Sequence, residues 1–303
     1  MIDLRLGDCL EVMKELPEAS VQTCVTSPPY WGLRDYGVAG QLGLESSPDE
    51  YVTKMVEMFR GVRRVLKDNG TLWLNLGDTY STGNGGDSTY TEKQKSNEGS
   101  LSIRRSQLKS LKPKNLVGIP WRVAFALQLD GWYLRQDIIW HKPNPMPESV
   151  RDRCTKSHEY IFLLSKSSKY YFDNEAIKEP AKDSSIERSK RPWSGNKERG
   201  MPAGKSPHSF KYFGHGSADK RNKRSVWSVT PKPFKGAHFA TFPIDLIEPC
   251  ILAGSREGDT VLDPFNGAGT TGVAALKHSR KYIGIELNPE YIELTKARIE
   301  KSS

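Results

Sequence analysis

Thr26-Ser27-Pro28-Pro29-Tyr30-Trp31 gathers a hydroxyl, proline-flanked carbonyls and two aromatic rings in one short stretch. Neither proline has an N–H, so the stretch cannot continue a strand's ladder, and Pro28 biases Ser27 towards extended backbone. It follows Ser20-Val-Gln-Thr-Cys-Val-Thr26, whose β-branched residues predict a short buried strand. A stiff turn at the carboxyl end of a strand is where open α/β sheets hold their ligands. Such a turn suits a flat base that stacks on Tyr30 and points an exocyclic amine at Ser27 Oγ and the Pro28 carbonyl. The lone pair of that amine is delocalised into its ring, which makes it a poor nucleophile. Two acceptors aimed at its hydrogens favour a tetrahedral nitrogen and expose the lone pair for attack. Taken alone, the motif reads equally as a Pro-Pro turn with an aromatic lid.

A second motif, far downstream, changes that balance. In Gly258-Asp-Thr-Val-Leu-Asp-Pro-Phe-Asn-Gly-Ala-Gly-Thr-Thr271, Thr260–Leu262 predicts a strand with Asp263 at its end. Gly267 and Gly269 let backbone approach a ligand, and a helix is expected from Thr270. Glu286 closes the next predicted strand, Tyr282-Ile-Gly-Ile285. A glycine turn, a helix N-terminus and a distant acid form the logic of a nucleotide-binding βαβ unit. Gly267-Ala-Gly-Thr-Thr-Gly272 has the dinucleotide spacing G-x-G-x-x-G, while this loop has no phosphate-loop Gly-Lys-Ser/Thr. Asp263 sets a negative charge beside the loop, which disfavours pyrophosphate and favours a cation. S-adenosylmethionine, with its ammonium, sulfonium and ribose, meets that requirement.

The elements that must position these motifs follow the chain. Met1–Leu6 predicts a strand ending at Gly7-Asp8, where Asp8 can accept from an adenine amine or a ribose hydroxyl, or cap the next helix, Leu10–Leu16. Ser47, Pro48 and Glu50 predict a capped helix with a capping box, stopped at Asn69-Gly70. Strands are expected over Thr71–Leu76, Trp132–Trp140 and Ser157–Ser165, and a helix over Ile119–Leu129. Residues 81–115, rich in Gly, Ser, Thr and Lys, read as a mobile loop, with Arg104 and Arg105 candidates for touching a polyanion.

Net charge is +9, and between Arg151 and Lys235 there are 20 Lys and Arg against 9 Asp and Glu. That segment therefore holds the whole basic excess, which by composition reads equally as an electrostatic footprint for a polyanion or as a solvated, partly disordered insertion. Lys190, Arg191, Lys220, Arg221, Lys223 and Arg224 are its candidate phosphate contacts, interleaved with aromatic residues such as Trp193 and Phe213. The four cysteines form no metal-ligand spacing, so no metal is expected. No apolar run is long enough to span a membrane, and no signal peptide is evident, so an intracellular, cytoplasmic protein of a prokaryote or phage is expected.

The two motifs together resemble those of the amino-directed DNA methyltransferases, which modify cytosine N4 or adenine N6. Thr26–Trp31 is similar to that family's catalytic motif, Asp263–Thr271 to its cofactor loop, and His238-Phe-Ala-Thr-Phe-Pro243 to its segment over the methionine end of the cofactor. The order of catalytic half, basic region and cofactor half resembles the permuted β group. The resemblance implies a Rossmann-like, mostly parallel sheet flanked by helices, with S-adenosyl-L-methionine as cofactor. It implies a catalytic half over 1–165, a target-recognition region over 166–224 and a cofactor half over 225–303. It implies catalysis by Ser27, Pro28, Pro29 and Tyr30 on a flipped base, with Tyr30 or Trp31 stacking on the base or facing the sulfonium. Cofactor contacts would come from Asp8, Thr241, Phe242, Asp263, Phe265, Gly267, Gly269, Thr270, Thr271 and Glu286. The partner would be double-stranded DNA, with a homodimer and a companion restriction endonuclease as further expectations.

Serine before Pro-Pro-Tyr favours N4 of cytosine within this resemblance; N6 of adenine is the alternative. RNA methylation and a catalytically inert DNA-binding protein are more distant ones. Carbon-5 methylation needs a nucleophilic Pro-Cys, and Pro249-Cys250 sits in an apolar run that predicts a packed helix.

Overall fold

The computed structural model describes residues 1–33, 35–81, 111–190, 219–231 and 242–301. It divides into two units, one of residues 1–173 with 225–303 and one of residues 174–224. In the larger unit the elements run β1 (Ile2–Leu6), α1 (Cys9–Glu15), β2 (Val21–Thr26), α2 (Pro48–Val65), β3 (Leu66–Leu76), α3 (Ile119–Leu129), β4 (Tyr133–His141) and β5 (His158–Ser165). In the smaller unit, β6 (Glu179–Pro180) pairs antiparallel with β7 (Lys220–Arg221), and α4 (Asp183–Lys190) lies between them in sequence. The larger unit resumes with β8 (Val226–Ser228), α5 (Ile244–Gly254), β9 (Thr260–Asp263), α6 (Thr270–Lys277), β10 (Lys281–Glu286) and α7 (Pro289–Glu300).

Among the described residues the main sheet has eight strands in the order β1-β10-β9-β2-β3-β5-β4-β8. β1, β10, β9, β2 and β3 are mutually parallel, β5 is antiparallel to β3 and β4, and β8 is parallel to β4. The late strands β9 and β10 thus insert between β1 and β2, which brings the two halves of the chain into one sheet. All six residues of β2 are buried, as its near-continuous apolar and β-branched composition requires of a strand covered on both faces.

Strand alternation assigns the two faces. Leu72, Leu74 and Leu76 join Met55, Phe59 and Val123 in the core under α1–α3. Thr71 and Trp73 point the other way, where Gly254 of α5 lies so close that an added Cβ would stand 2.9 Å from the Trp73 indole nitrogen. α6 packs beside α5 on that face, and Cys250 is fully buried within α5. No helix among the described residues is long and apolar enough to cross a membrane.

Two local expectations are corrected. Ser47 caps α2 by accepting from Glu50 N at 3.2 Å, but the Glu50 carboxylate accepts from Ser46 N and Ser46 Oγ, so the capping box closes on one side only. α2 also ends at Val65 and not at Asn69-Gly70. Leu66 already has extended backbone, and Asn69 Oδ1 accepts from the Gln22 side chain across the β2–β3 pair, where the register shifts.

Candidate active site

β2 and β9 are parallel neighbours with Cys24 opposite Leu262, so their carboxyl ends emerge together. One carboxylate ties these ends. Asp263 accepts from the Thr26 hydroxyl at 2.6 Å and from Phe265 N at 3.1 Å on Oδ1, and from the Thr271 hydroxyl at 2.7 Å on Oδ2. It is 2% exposed, and burial pushes its pKa up to about 6 against the pull of those three donors. The sequence presents Asp263 as an open charge beside the loop. It is instead a buried strut joining the residue before Ser27 to the first turn of α6. Thr271, expected at the cofactor, is likewise fully buried and spent on this strut.

The glycine loop follows directly. Gly267 and Gly269 have φ of 51° and 71°, a region that side chains disfavour, and Gly269 packs against Thr295 so closely that a Cβ has no room. Glu286, at the end of β10, accepts from Gly267 N at 2.7 Å and from Asn288 N at 2.9 Å. Burial raises its pKa. These two bonds fall on different carboxylate oxygens, and the carboxylate lines the cleft. Asp8, one strand further along, caps α1 through Leu10 N and Glu11 N. Thr270 Oγ1 accepts from Arg298 at 3.1 Å. Glycines that admit backbone, acids at successive strand ends and the rings of Phe265 and Phe242 make a donor and acceptor set that fits a nucleoside with a charged tail. Thr241 lies outside the described residues.

The proline turn is held from behind. The Tyr51 hydroxyl donates to the Pro29 carbonyl at 2.9 Å, and a Cβ on Gly43 would meet the Tyr30 carbonyl at 3.0 Å. The Pro29 carbonyl is therefore taken, whereas no donor approaches the Pro28 carbonyl among the described residues. The Tyr30 ring lies on Gly77, where a Cβ would stand 2.5 Å from Cε2. Its hydroxyl is 2.9 Å from Glu159 Oε2, 3.0 Å from Asn75 Oδ1 and 3.2 Å from Ser27 Oγ. Trp31, expected as a stacking residue, is 4% exposed in the hydrophobic core and donates its indole N–H to the Glu45 carbonyl. Its size drives it into the core, so Tyr30 is the aromatic residue of the turn that lines the cleft.

Ser27, Pro28, Pro29, Tyr30 and the loop residues Phe265 and Gly267 all line one cleft of about 750 Å³, with Asp8, Phe242, Asp263, Thr270 and Glu286. That lies within the ~300–1,000 Å³ of small-molecule sites. Three other lining residues, Asn75, Lys142 and Glu159, escape the sequence reading. For Asn75 and Glu159 the available signal is a polar side chain inside an apolar strand pattern, as in Leu72-Trp-Leu-Asn-Leu76 and His158-Glu-Tyr-Ile-Phe162. Asp78, at the end of the same strand run, caps α3 by accepting from Gly118 N and Ile119 N.

In the smaller unit, Arg221 and Lys223 both pair with Glu179, at 3.5 and 3.3 Å, while Lys220 and Arg224 are exposed. Arg104, Arg105 and Arg191, and the side chain of Lys190, lie outside the described residues. Among the described residues no group of His, Cys, Asp and Glu could hold a metal.

The family model described as DNA methylase, N6_N4_Mtase, matches residues 21–297. The type II methyltransferase M.Cfr9I of Citrobacter freundii is 50% identical over 295 residues, covering 97% of this chain and 86% of that protein. M.SmaI of Serratia marcescens, also a type II methyltransferase, is 50% identical with 97% and 89% covered. A putative DNA modification methylase of Thermus thermophilus, solved with S-adenosyl-L-methionine, superposes with a TM-score of 0.61 at 25% identity, covering 100% of this chain and 94% of that one. The PvuII cytosine-N4-specific DNA methyltransferase shares the fold, with a TM-score of 0.64 at 20% identity over 99% and 89%. The chain belongs to the N6/N4 DNA methylase family, S-adenosyl-L-methionine-dependent methyltransferases of DNA.

Proposed function

We propose that this protein methylates the exocyclic N4 of cytosine in double-stranded DNA, the base being flipped out of the helix into the cleft. The observation that carries this reading is that Ser27 and Gly267, 240 positions apart, line the same cleft. Bound S-adenosyl-L-methionine supplies an electrophilic methyl on a sulfonium. Asp8, Phe242, Phe265, Gly267 and Glu286 are the residues that would hold it, with Glu286 suited to ribose hydroxyls. Ser27 Oγ and the Pro28 carbonyl accept the amine's hydrogens and turn its lone pair outward, while Tyr30 offers a stacking face. Direct transfer is supported by the state of the thiols. Cys9, which lines the cleft from the start of α1, is 8% exposed, and burial pushes its pKa up to about 12, so it is no ready nucleophile. Cys250 is buried in α5.

The choice of cytosine rests on Ser27, an uncharged acceptor at the position where the family resemblance associates Asp with adenine enzymes. The unit over 174–224, with exposed Lys220 and Arg224, is the proposed reader of the target sequence. A homodimer and a companion restriction endonuclease belong to the same reading, as does service inside the cell.

Digesting DNA treated with the protein and deuteromethyl-labelled cofactor to nucleosides tests the base. Labelled N4-methylcytosine is expected. N6-methyladenine alone would move the assignment to adenine, and label in structured RNA at an equal rate would move it to RNA.

A further inference from the structure

The Tyr30 phenol has one hydrogen and two acceptors beside it, Glu159 Oε2 at 2.9 Å and Asn75 Oδ1 at 3.0 Å. Asn75 is oriented by the Tyr160 carbonyl, 3.0 Å from its amide nitrogen, which leaves its oxygen turned to Tyr30. Glu159 is held in turn by an ion pair with Lys142, and both side chains are about four-fifths buried, at 21% exposure for Lys142 and 16% for Glu159. Burial, reinforced by the adjacent Glu159, pushes the phenol's pKa well above its ordinary value, so it keeps its proton. Whichever acceptor takes that proton, none remains for Ser27, whose Oγ lies 3.2 Å from the phenol oxygen. The serine must therefore donate its own single hydrogen to Tyr30.

We propose that Glu159, acting through Tyr30, is a positioning residue that fixes Ser27 as a hydrogen-bond acceptor towards the amine to be methylated. A serine hydroxyl is otherwise ambivalent. Turned the other way, it would aim its hydrogen at the amine nitrogen and occupy the lone pair that has to attack. Locked by a one-way chain from Ser27 to Tyr30 to Glu159, it can only draw on an N–H of the amine, and the lone pair stays free. The inference rests on the amine-transfer reading above and holds for either base.

The test compares Tyr30→Phe and Glu159→Gln in the wild-type protein and in a Ser27→Ala background. Single-turnover rates are read alongside cofactor affinity and thermal melting. Each variant is expected to slow the wild-type protein by roughly tenfold, a fraction of what a full acceptor contributes, with cofactor affinity unchanged. Neither should slow Ser27→Ala any further, because the chain acts only through that hydroxyl. Equal slowing in both backgrounds would mean a packing role and overturn the inference, as would no slowing of the wild type by Glu159→Gln. If Ser27→Ala itself runs at the wild-type rate, the amine-transfer reading fails first, which separates the two failures.

Discussion

The glycine loop around Gly267 and the proline turn around Ser27 face the same cleft, yet they owe their shapes to different parts of the chain. The loop is built almost wholly from its own βαβ unit: Asp263, Gly267, Gly269, Thr271 and Glu286 all lie on β9, α6, β10 or the turn between them. The turn is locally stiff, but what aims it is remote. Tyr51 holds it from α2, Gly77 and Asn75 from the end of β3, and Glu159 from β5. A ligand-holding loop can thus be specified by spacing alone. A hydroxyl proposed to orient an amine needs its direction set from several strands, because transfer depends on orientation.

The largest effect should come from the reacting side. Ser27→Ala is expected to lower the methyl-transfer rate constant by roughly 10²–10³, the usual cost of losing one acceptor or donor at a reacting centre, while calorimetry finds cofactor affinity within about twofold. A parallel loss of cofactor binding would mean the two regions are not separable.

Asp263 belongs to both regions, and its titration reports on the joint. Its pKa in the folded protein is about 6, against an ordinary value of 3.8. The folded state therefore keeps a proton that the unfolded chain loses as pH rises, and the wild type is progressively destabilised from about pH 4 to pH 6. Asp263→Asn does not titrate. Denaturant melts should show it gaining on the wild type across that window by about 3 kcal/mol and levelling off above it. A pH-independent difference would mean that Asp263 is not the buried acid described.

How much of this is readable in the sequence follows the same division. Strand β2, helix α3 and the β9–α6–β10 unit are legible because buried strands, proline-started helices and positive-φ glycines leave local marks. The adjacency of β2 and β9 is not local, and neither strand carries a mark of it. Trp31 is misplaced by sequence because an aromatic residue after a turn gives no sign of which side of the sheet it will fill. Asn69-Gly70 mimics a helix stop because a turn-forming pair looks the same inside an irregular strand start. Glu159 is invisible as a partner of Tyr30, since antiparallel pairing of β5 with β3 across residues 77–157 leaves no spacing rule.

Two glycine variants sharpen the contrast at a smaller scale. Gly77→Ala displaces the Tyr30 ring and is expected to cut the transfer rate by about tenfold with cofactor affinity intact. Gly269→Ala forces a left-handed residue against Thr295 and is expected to weaken cofactor binding by about tenfold and lower the melting temperature. Interchanged phenotypes would contradict the assignment of the two regions. The smallest effect is expected from Tyr51→Phe, which removes the bond to the Pro29 carbonyl: about 1 kcal/mol of stability and a few-fold in rate, read from denaturant melts and single turnovers.

The most direct measurement is a crystal structure of the protein with S-adenosylhomocysteine and a duplex carrying its target. The cofactor's sulfur and the amine of an extruded cytosine should meet in the cleft between β2 and β9, with Ser27 Oγ within hydrogen-bonding distance of that amine. A sulfur that opens onto a surface away from Ser27, or a base that stays stacked in the duplex, would contradict the account.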